Sequence, residues 1–133
     1  MIGLDTNVLV RVLVADDPKQ TALAEQLLRE MSESGEVCLI SDPVLCETEW
    51  VLDRVYRVSR AEILATFENL LARRNLFSFE NPAVVRQALD AYQKGKADFS
   101  DFVIGAKAEA GGARTTFTFD RALARQQGFS ILE

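Results

Sequence analysis

A chain of 133 residues, 48% apolar and 26% charged, has the make-up of one globular domain, residues 1–133, burying about two thirds of its unfolded surface. Its net charge of −5 excludes a broadly basic surface for coating nucleic acid, though not a local basic rim around an acidic centre. The absence of histidine excludes Ser-His-Asp and Cys-His catalysis, HExxH zinc sites and histidine-based nucleases.

No apolar stretch approaches the ~18 residues of a membrane span. The amino terminus has no basic segment ahead of its apolar residues, and Cys38 and Cys46 form no CxxC pair. A cytoplasmic protein without membrane association is expected.

In chain order, Ile2 to Leu4 reads as a short buried strand stopped by Asp5, and Val8, Leu9, Val12 and Leu13 resume at helical spacing. Asp17-Pro18 reads as the cap and first residue of a second helix. Val37 to Ile40 is expected to be a strand. Asp42-Pro43 opens a third helix with Val44, Leu45, Val51, Leu52 and Val55 on one face. "SRAE" (Ser59 to Glu62) is a capping box for a fourth helix, whose stripe is Ile63, Leu64, Phe67, Leu70 and Leu71. A strand at Leu76 to Phe79, a helix from Asn81-Pro82 to about Lys94, and a helix from about Phe99 to Ala110 follow. "TTFTF" (Thr115 to Phe119) alternates as a strand; a short helix near Ala122 to Gln127 and a strand at Ser130 to Leu132 close the chain. Strands alternating with helices predict an α/β fold with a mostly parallel central sheet covered on both faces. Ligands in such folds sit beyond the carboxyl ends of the strands, where Asp5 and Asp120 fall.

Four acids form a candidate constellation. Asp5 and Asp120 end strands. Glu47 is placed at the border of the third helix's apolar face, with Glu49 on a more solvated flank. Asp101 shares a face with Ile104, Gly105 and Ala108, expected to be the inward one. Each also has a plain structural explanation: Asp5 and Asp120 as helix caps, Asp98 and Asp101 as first-turn acids, Glu47 as a boundary charge. Two carboxylates brought to ~4 Å repel by roughly 4 kcal/mol at an effective dielectric of 20. A cation or a proton must offset that, and oxygen ligands without histidine favour Mg²⁺ or Mn²⁺.

"IGLDTNVLV", "CETEWVL", "ADFSDFVIGAKA" and "TFTFDRAL" resemble the four acidic motifs of the PIN domain, in the family's order and over essentially the whole chain. The resemblance is nearest to the small prokaryotic PIN proteins of the VapC toxin type. It implies a three-layer α/β/α sandwich and a Mg²⁺- or Mn²⁺-dependent endoribonuclease, cytoplasmic and homodimeric, paired with an antitoxin protein. By motif, Asp5, Glu47, Asp101 and Asp120 are its catalytic and metal-binding acids, with Glu47 preferred to Glu49 because the family's acid precedes the Trp-Val-Leu segment by three residues. Asp98 is the alternative to Asp101. Thr6, Asn7 and Thr118 match polar positions that orient carboxylates or water. Arg121, with Arg11, Arg114 and Arg125, is either solvated surface or phosphate-steering charge. The stripe from Ile63 to Leu71 is either core or part of an antitoxin groove. A catalytically silent PIN module that only binds RNA or protein is the alternative reading. A receiver domain is disfavoured because Asp5 stands alone, and a haloacid-dehalogenase phosphatase because "DTN" replaces DxD.

Overall fold

Short apolar runs become strands and capped amphipathic runs become helices in the computed structural model, which describes residues 1–133. The chain divides into two units, Met1–Glu80 and Asn81–Glu133.

The first unit contains β1 (Ile2–Gly3), α1 (Thr6–Leu13), α2 (Pro18–Ser34), β2 (Cys38–Ile40), α3 (Asp42–Arg54), α4 (Arg60–Ala72) and β3 (Phe77–Phe79). Its strands pair in parallel in the order β1-β2-β3, with Ile2 beside Cys38 and Ile40 beside Phe79. Parallel neighbours need helical crossovers, which α1 to α4 supply. The core is built from Leu4, Leu9, Ile40, Leu45, Ile63 and Phe67, all buried. The α4 stripe is therefore core: Ile63, Phe67 and Leu70 face inward.

The sequence caps form as read. Asp17 Oδ1 accepts from the Gln20 amide at 3.0 Å, and Ser59 Oγ accepts from the Glu62 amide at 3.2 Å. Gly35, at φ 76°, closes α2 in the left-handed region that favours glycine. The start of α3 differs. Ser41 stands at its N-cap without a side-chain bond, and Glu80, just past β3, accepts from the Asp42 amide at 2.8 Å through Oε2. A carboxylate 38 residues away thus satisfies a donor that helix geometry leaves open. A second long-range tie joins α1 to the end of α3. Arg11 Nη1 donates to Asp16 Oδ1 (3.0 Å) and Tyr56 Oη (3.1 Å), and Nε donates to Gln20 Oε1 (2.8 Å). Tyr56 in turn donates to Asp16 Oδ2 at 2.6 Å. Arg11 thus serves as a structural clasp through Nε and Nη1.

The second unit contains α5 (Pro82–Lys94), α6 (Phe99–Ala110), β4 (Thr116–Thr118), a short 3-10 helix (Leu123–Arg125) and β5 (Phe129–Ile131). Asn81 Oδ1 caps α5 at the Val84 amide, 3.3 Å away. Tyr92 on α5 meets Phe99 on α6 edge to face, with centroids 5.9 Å apart. Gly105 lies so close to the Phe129 ring that a Cβ there would fall 2.7 Å from Cζ. β4 and β5 pair in parallel, with Thr116 beside Phe129 and Thr118 beside Ile131. β4 alternates as expected, but its threonines are half-buried while Phe117 and Phe119 face outward.

Six helices and parallel strands are the make-up of a PIN-like α/β/α fold. In place of one continuous ladder, the strands form a three-stranded set in the first unit and a two-stranded set in the second. No helix is long and apolar enough to cross a membrane.

Candidate active site

Asp5 leaves β1 and occupies the N-cap position of α1, yet its side chain makes no capping hydrogen bond. Its carboxylate is exposed, so the helix-cap explanation of Asp5 fails. The next residue, Thr6, is buried, and its hydroxyl donates to Glu47 Oε1 at 3.0 Å. One hydrogen bond therefore links the residue beside Asp5 to the second motif's acid on α3, 41 positions away. Asn7 is exposed on the same first turn.

The helical wheel misplaces the acids of α3. Glu49 is buried at 4% exposure, with Leu45, Thr48 and Leu52 on the core face, whereas Glu47 is exposed. Apolar residues occur on both sides of this helix: Trp50 and Val55 are 54% and 59% exposed, so the apolar stripe alone does not mark the buried side. Glu47, although exposed, is the acid that Thr6 bonds.

In the second unit, Asp98 is the N-cap residue of α6 and Asp101 lies in its first turn. Asp120 follows β4. All three carboxylates, with Lys96 and Gln126, line an open cavity of about 230 Å³. Burial pushes the Asp101 carboxyl above its ordinary value; the charge of Asp98 adds to this, a backbone hydrogen bond from Asp98 opposes it, and Asp120 adds a smaller push. Asp101 does not lie on the inward face. That face is Phe99, Phe102, Val103 and Ala106, while Ile104 is 55% exposed and Asp101 is half-buried at the rim. Of the residues expected beside it, Gly105 is packed, against the Phe129 ring, whereas Ile104 faces outward.

Asp120 does act as a cap, with one oxygen. Its Oδ1 accepts from the amides of Ala122 (2.9 Å) and Leu123 (3.2 Å), and its own amide donates to Thr118 Oγ1 at 3.0 Å. Thr118 and the following turn thus hold the carboxylate in one orientation. Arg121 is 82% exposed and reaches only Glu133, at 3.9 Å; Arg114 and Arg125 are exposed too. Lys96 escaped the sequence reading, because "KGKAD" carries no pattern separating a cavity lysine from a surface one.

The donors are hard carboxylate oxygens with neither histidine nor thiolate among them, so the donor chemistry fits Mg²⁺ or Mn²⁺. No three carboxylates or thiols within either unit stand close enough to chelate an ion as they are.

The PIN-domain family model matches residues 2–128. A VapC ribonuclease of Aquifex aeolicus (strain VF5) is 30% identical over 129 residues, covering 97% of this chain and 93% of that protein. The acids at the ends of β1 and β4, the Thr6–Glu47 link and the α6 carboxylates all lie inside that match. The chain belongs to the PIN-domain family.

Proposed function

We propose that this protein is a Mg²⁺- or Mn²⁺-dependent endoribonuclease, hydrolysing RNA phosphodiesters as the toxin of a toxin–antitoxin pair. The observation that carries the reading is the family match across residues 2–128, which takes in Asp5, Glu47, Asp101 and Asp120. Similarity to a VapC ribonuclease supports RNA as the polymer and an antitoxin as the partner. On this reading residues 1–133 work as one PIN domain, cytoplasmic and homodimeric.

Asp5, Glu47, Asp101 and Asp120 are the residues that would hold the cation, with Asp98 in reserve. When bound, the cation supplies Lewis acidity at the scissile phosphate and offsets the charge that builds there. The chain's own contribution is orientation. Thr6 aims Glu47 through its hydroxyl. The Ala122 and Leu123 amides aim Asp120, and Arg121, free of any close ion pair, offers a cation to the flanking phosphate. Water is the nucleophile, so no side chain need act as one.

Cleavage of single-stranded RNA with Mn²⁺ or Mg²⁺, and its loss in EDTA, is the test, with Asp5→Asn as the control. The variant should fold as the wild type, because Asp5 makes no capping bond, and should not cleave. RNA binding without cleavage by the wild type would favour the silent-module reading, and equal cleavage by both proteins would remove Asp5 from the site.

A further inference from the structure

Of eight phenylalanines, Phe67, Phe77, Phe79, Phe99, Phe102 and Phe129 are buried, whereas Phe117 and Phe119 are 57% and 80% exposed. The two exposed rings are not scattered. Phe117 lies in β4 and Phe119 one residue past its end, and the alternation of half-buried threonine with exposed phenylalanine runs through both. Strand register puts Ser130 of the neighbouring strand beside Phe117, and Leu132, just past that strand, is 48% exposed. The opposite face carries Thr116 and Thr118, half-buried, with Thr118 bonded to the Asp120 amide. The outward rings therefore lie mostly outside the packing of the second unit.

Their position argues for a ligand. Phe119, Asp120 and Arg121 are consecutive: an exposed ring, a carboxylate held by two amides, and an arginine whose side chain is 82% exposed. In a chain of net charge −5, that arginine supplies a local positive charge, complementary to a phosphate. Same-face side chains on a strand are about 6.6 Å apart. That is close to twice the ~3.4 Å separation of stacked bases, so one flat base fits between two such rings. Aromatic stacking of this kind is how single-stranded, unstacked bases are held, and it is unavailable to a base paired inside a duplex.

We propose that Phe117 and Phe119 clamp one unstacked nucleobase of single-stranded RNA beside the phosphate that Arg121 and Asp120 face. The identity of the polymer rests on the ribonuclease reading above. The clamp makes this strand face a substrate-binding element that selects single strands over duplex.

The test compares wild type with Phe117→Leu, Phe119→Leu and Phe119→Trp, using a short single-stranded RNA carrying 2-aminopurine. In EDTA the wild type should quench 2-aminopurine by stacking. Each leucine variant should lose the quench and bind about five- to a hundredfold more weakly, while Phe119→Trp retains both. With Mn²⁺, the leucine variants should raise KM with little change in kcat. All four proteins should stay folded with only small shifts in melting, because the rings are mostly exposed.

Leucine variants that quench and bind as the wild type would overturn the clamp. So would variants that change the sedimentation of the protein but not its RNA affinity, which would assign the face to a second copy of the chain. Wild-type quenching without cleavage would uphold the clamp and remove the ribonuclease reading. Wild-type cleavage indifferent to both leucines would do the reverse, and a wild type that neither binds nor cleaves would remove both.

Discussion

Replacing Thr6 with valine keeps the shape of a buried side chain and deletes one donor. The lost interaction is the 3.0 Å hydrogen bond to Glu47 Oε1. Hydrogen bonds to charged acceptors contribute about 1.5–3 kcal/mol and neutral ones about 0.5–1.5 kcal/mol. Glu47 is exposed, so water replaces the hydroxyl there and valine leaves no orphaned polar atom; the loss falls to about 1 kcal/mol. A chain of this length has an unfolding entropy of about 280 cal/mol/K at its melting point, which makes the shift about 4 °C. The effect on turnover is larger, because a loosened carboxylate misplaced by about 1 Å costs about a hundredfold in rate. Thr6→Ser separates the two effects. It keeps the donor and gives up a methyl worth about 0.8 kcal/mol, so it should melt lower yet cleave nearly as well as wild type. Thermal melts and steady-state RNA cleavage on the three proteins measure both. A valine variant with wild-type kcat would refute the claim that Thr6 aims Glu47, and a fall beyond about 10 °C would mean that the hydroxyl carries packing weight not seen here.

Asp101→Asn should be no less stable than wild type at neutral pH. Burial and the charges of Asp98 and Asp120 raise the folded Asp101 carboxyl, so wild type loses stability relative to the variant as pH rises through the carboxylate range; the two should converge below it. Melts across that range check the sign, and a variant that gains on acidification would contradict it. Mn²⁺ at a hundredfold excess over its dissociation constant should stabilise wild type by about 2.7 kcal/mol, roughly 10 °C; Asp101→Asn should lose most of that lift and Asp98→Asn should keep it. Gly105→Ala puts a Cβ 2.7 Å from Phe129 Cζ and should destabilise by about 1–3 kcal/mol. A neutral melt there would show that the ring moves aside freely.

The parts of the fold that local chemistry determines were legible. Asp17-Pro18, Ser59 to Glu62 and Asn81-Pro82 mark helix starts because capping acts over three residues, and the short apolar runs became parallel strands. Asp5 and Asp120 stood out as candidates for the same local reason, each following a strand. What failed was orientation. Periodicity locates a stripe without saying which stripe is buried, and α3 carries apolar residues on both sides, so Glu47 and Glu49 were exchanged. The roles of Thr6, Glu80 and Arg11 depend on partners 41, 38 and 45 residues away, and no local pattern encodes such distances. β4 showed its alternation but not its polarity: threonine inward and phenylalanine outward inverts the usual reading of hydrophobic alternation.

The double use of Asp120 couples its aim to a local folding equilibrium. Oδ1 is engaged by the two amides that begin the Leu123–Arg125 turn, which leaves Oδ2 for anything the site binds. Turning the carboxylate away breaks both bonds, so unwinding of that turn and disarming of the acid are one event. The free energy of local opening at Ala122 and Leu123, readable by amide hydrogen exchange, therefore sets the fraction of molecules in which Asp120 keeps this orientation. A ligand on Oδ2 should slow exchange at amides it never touches.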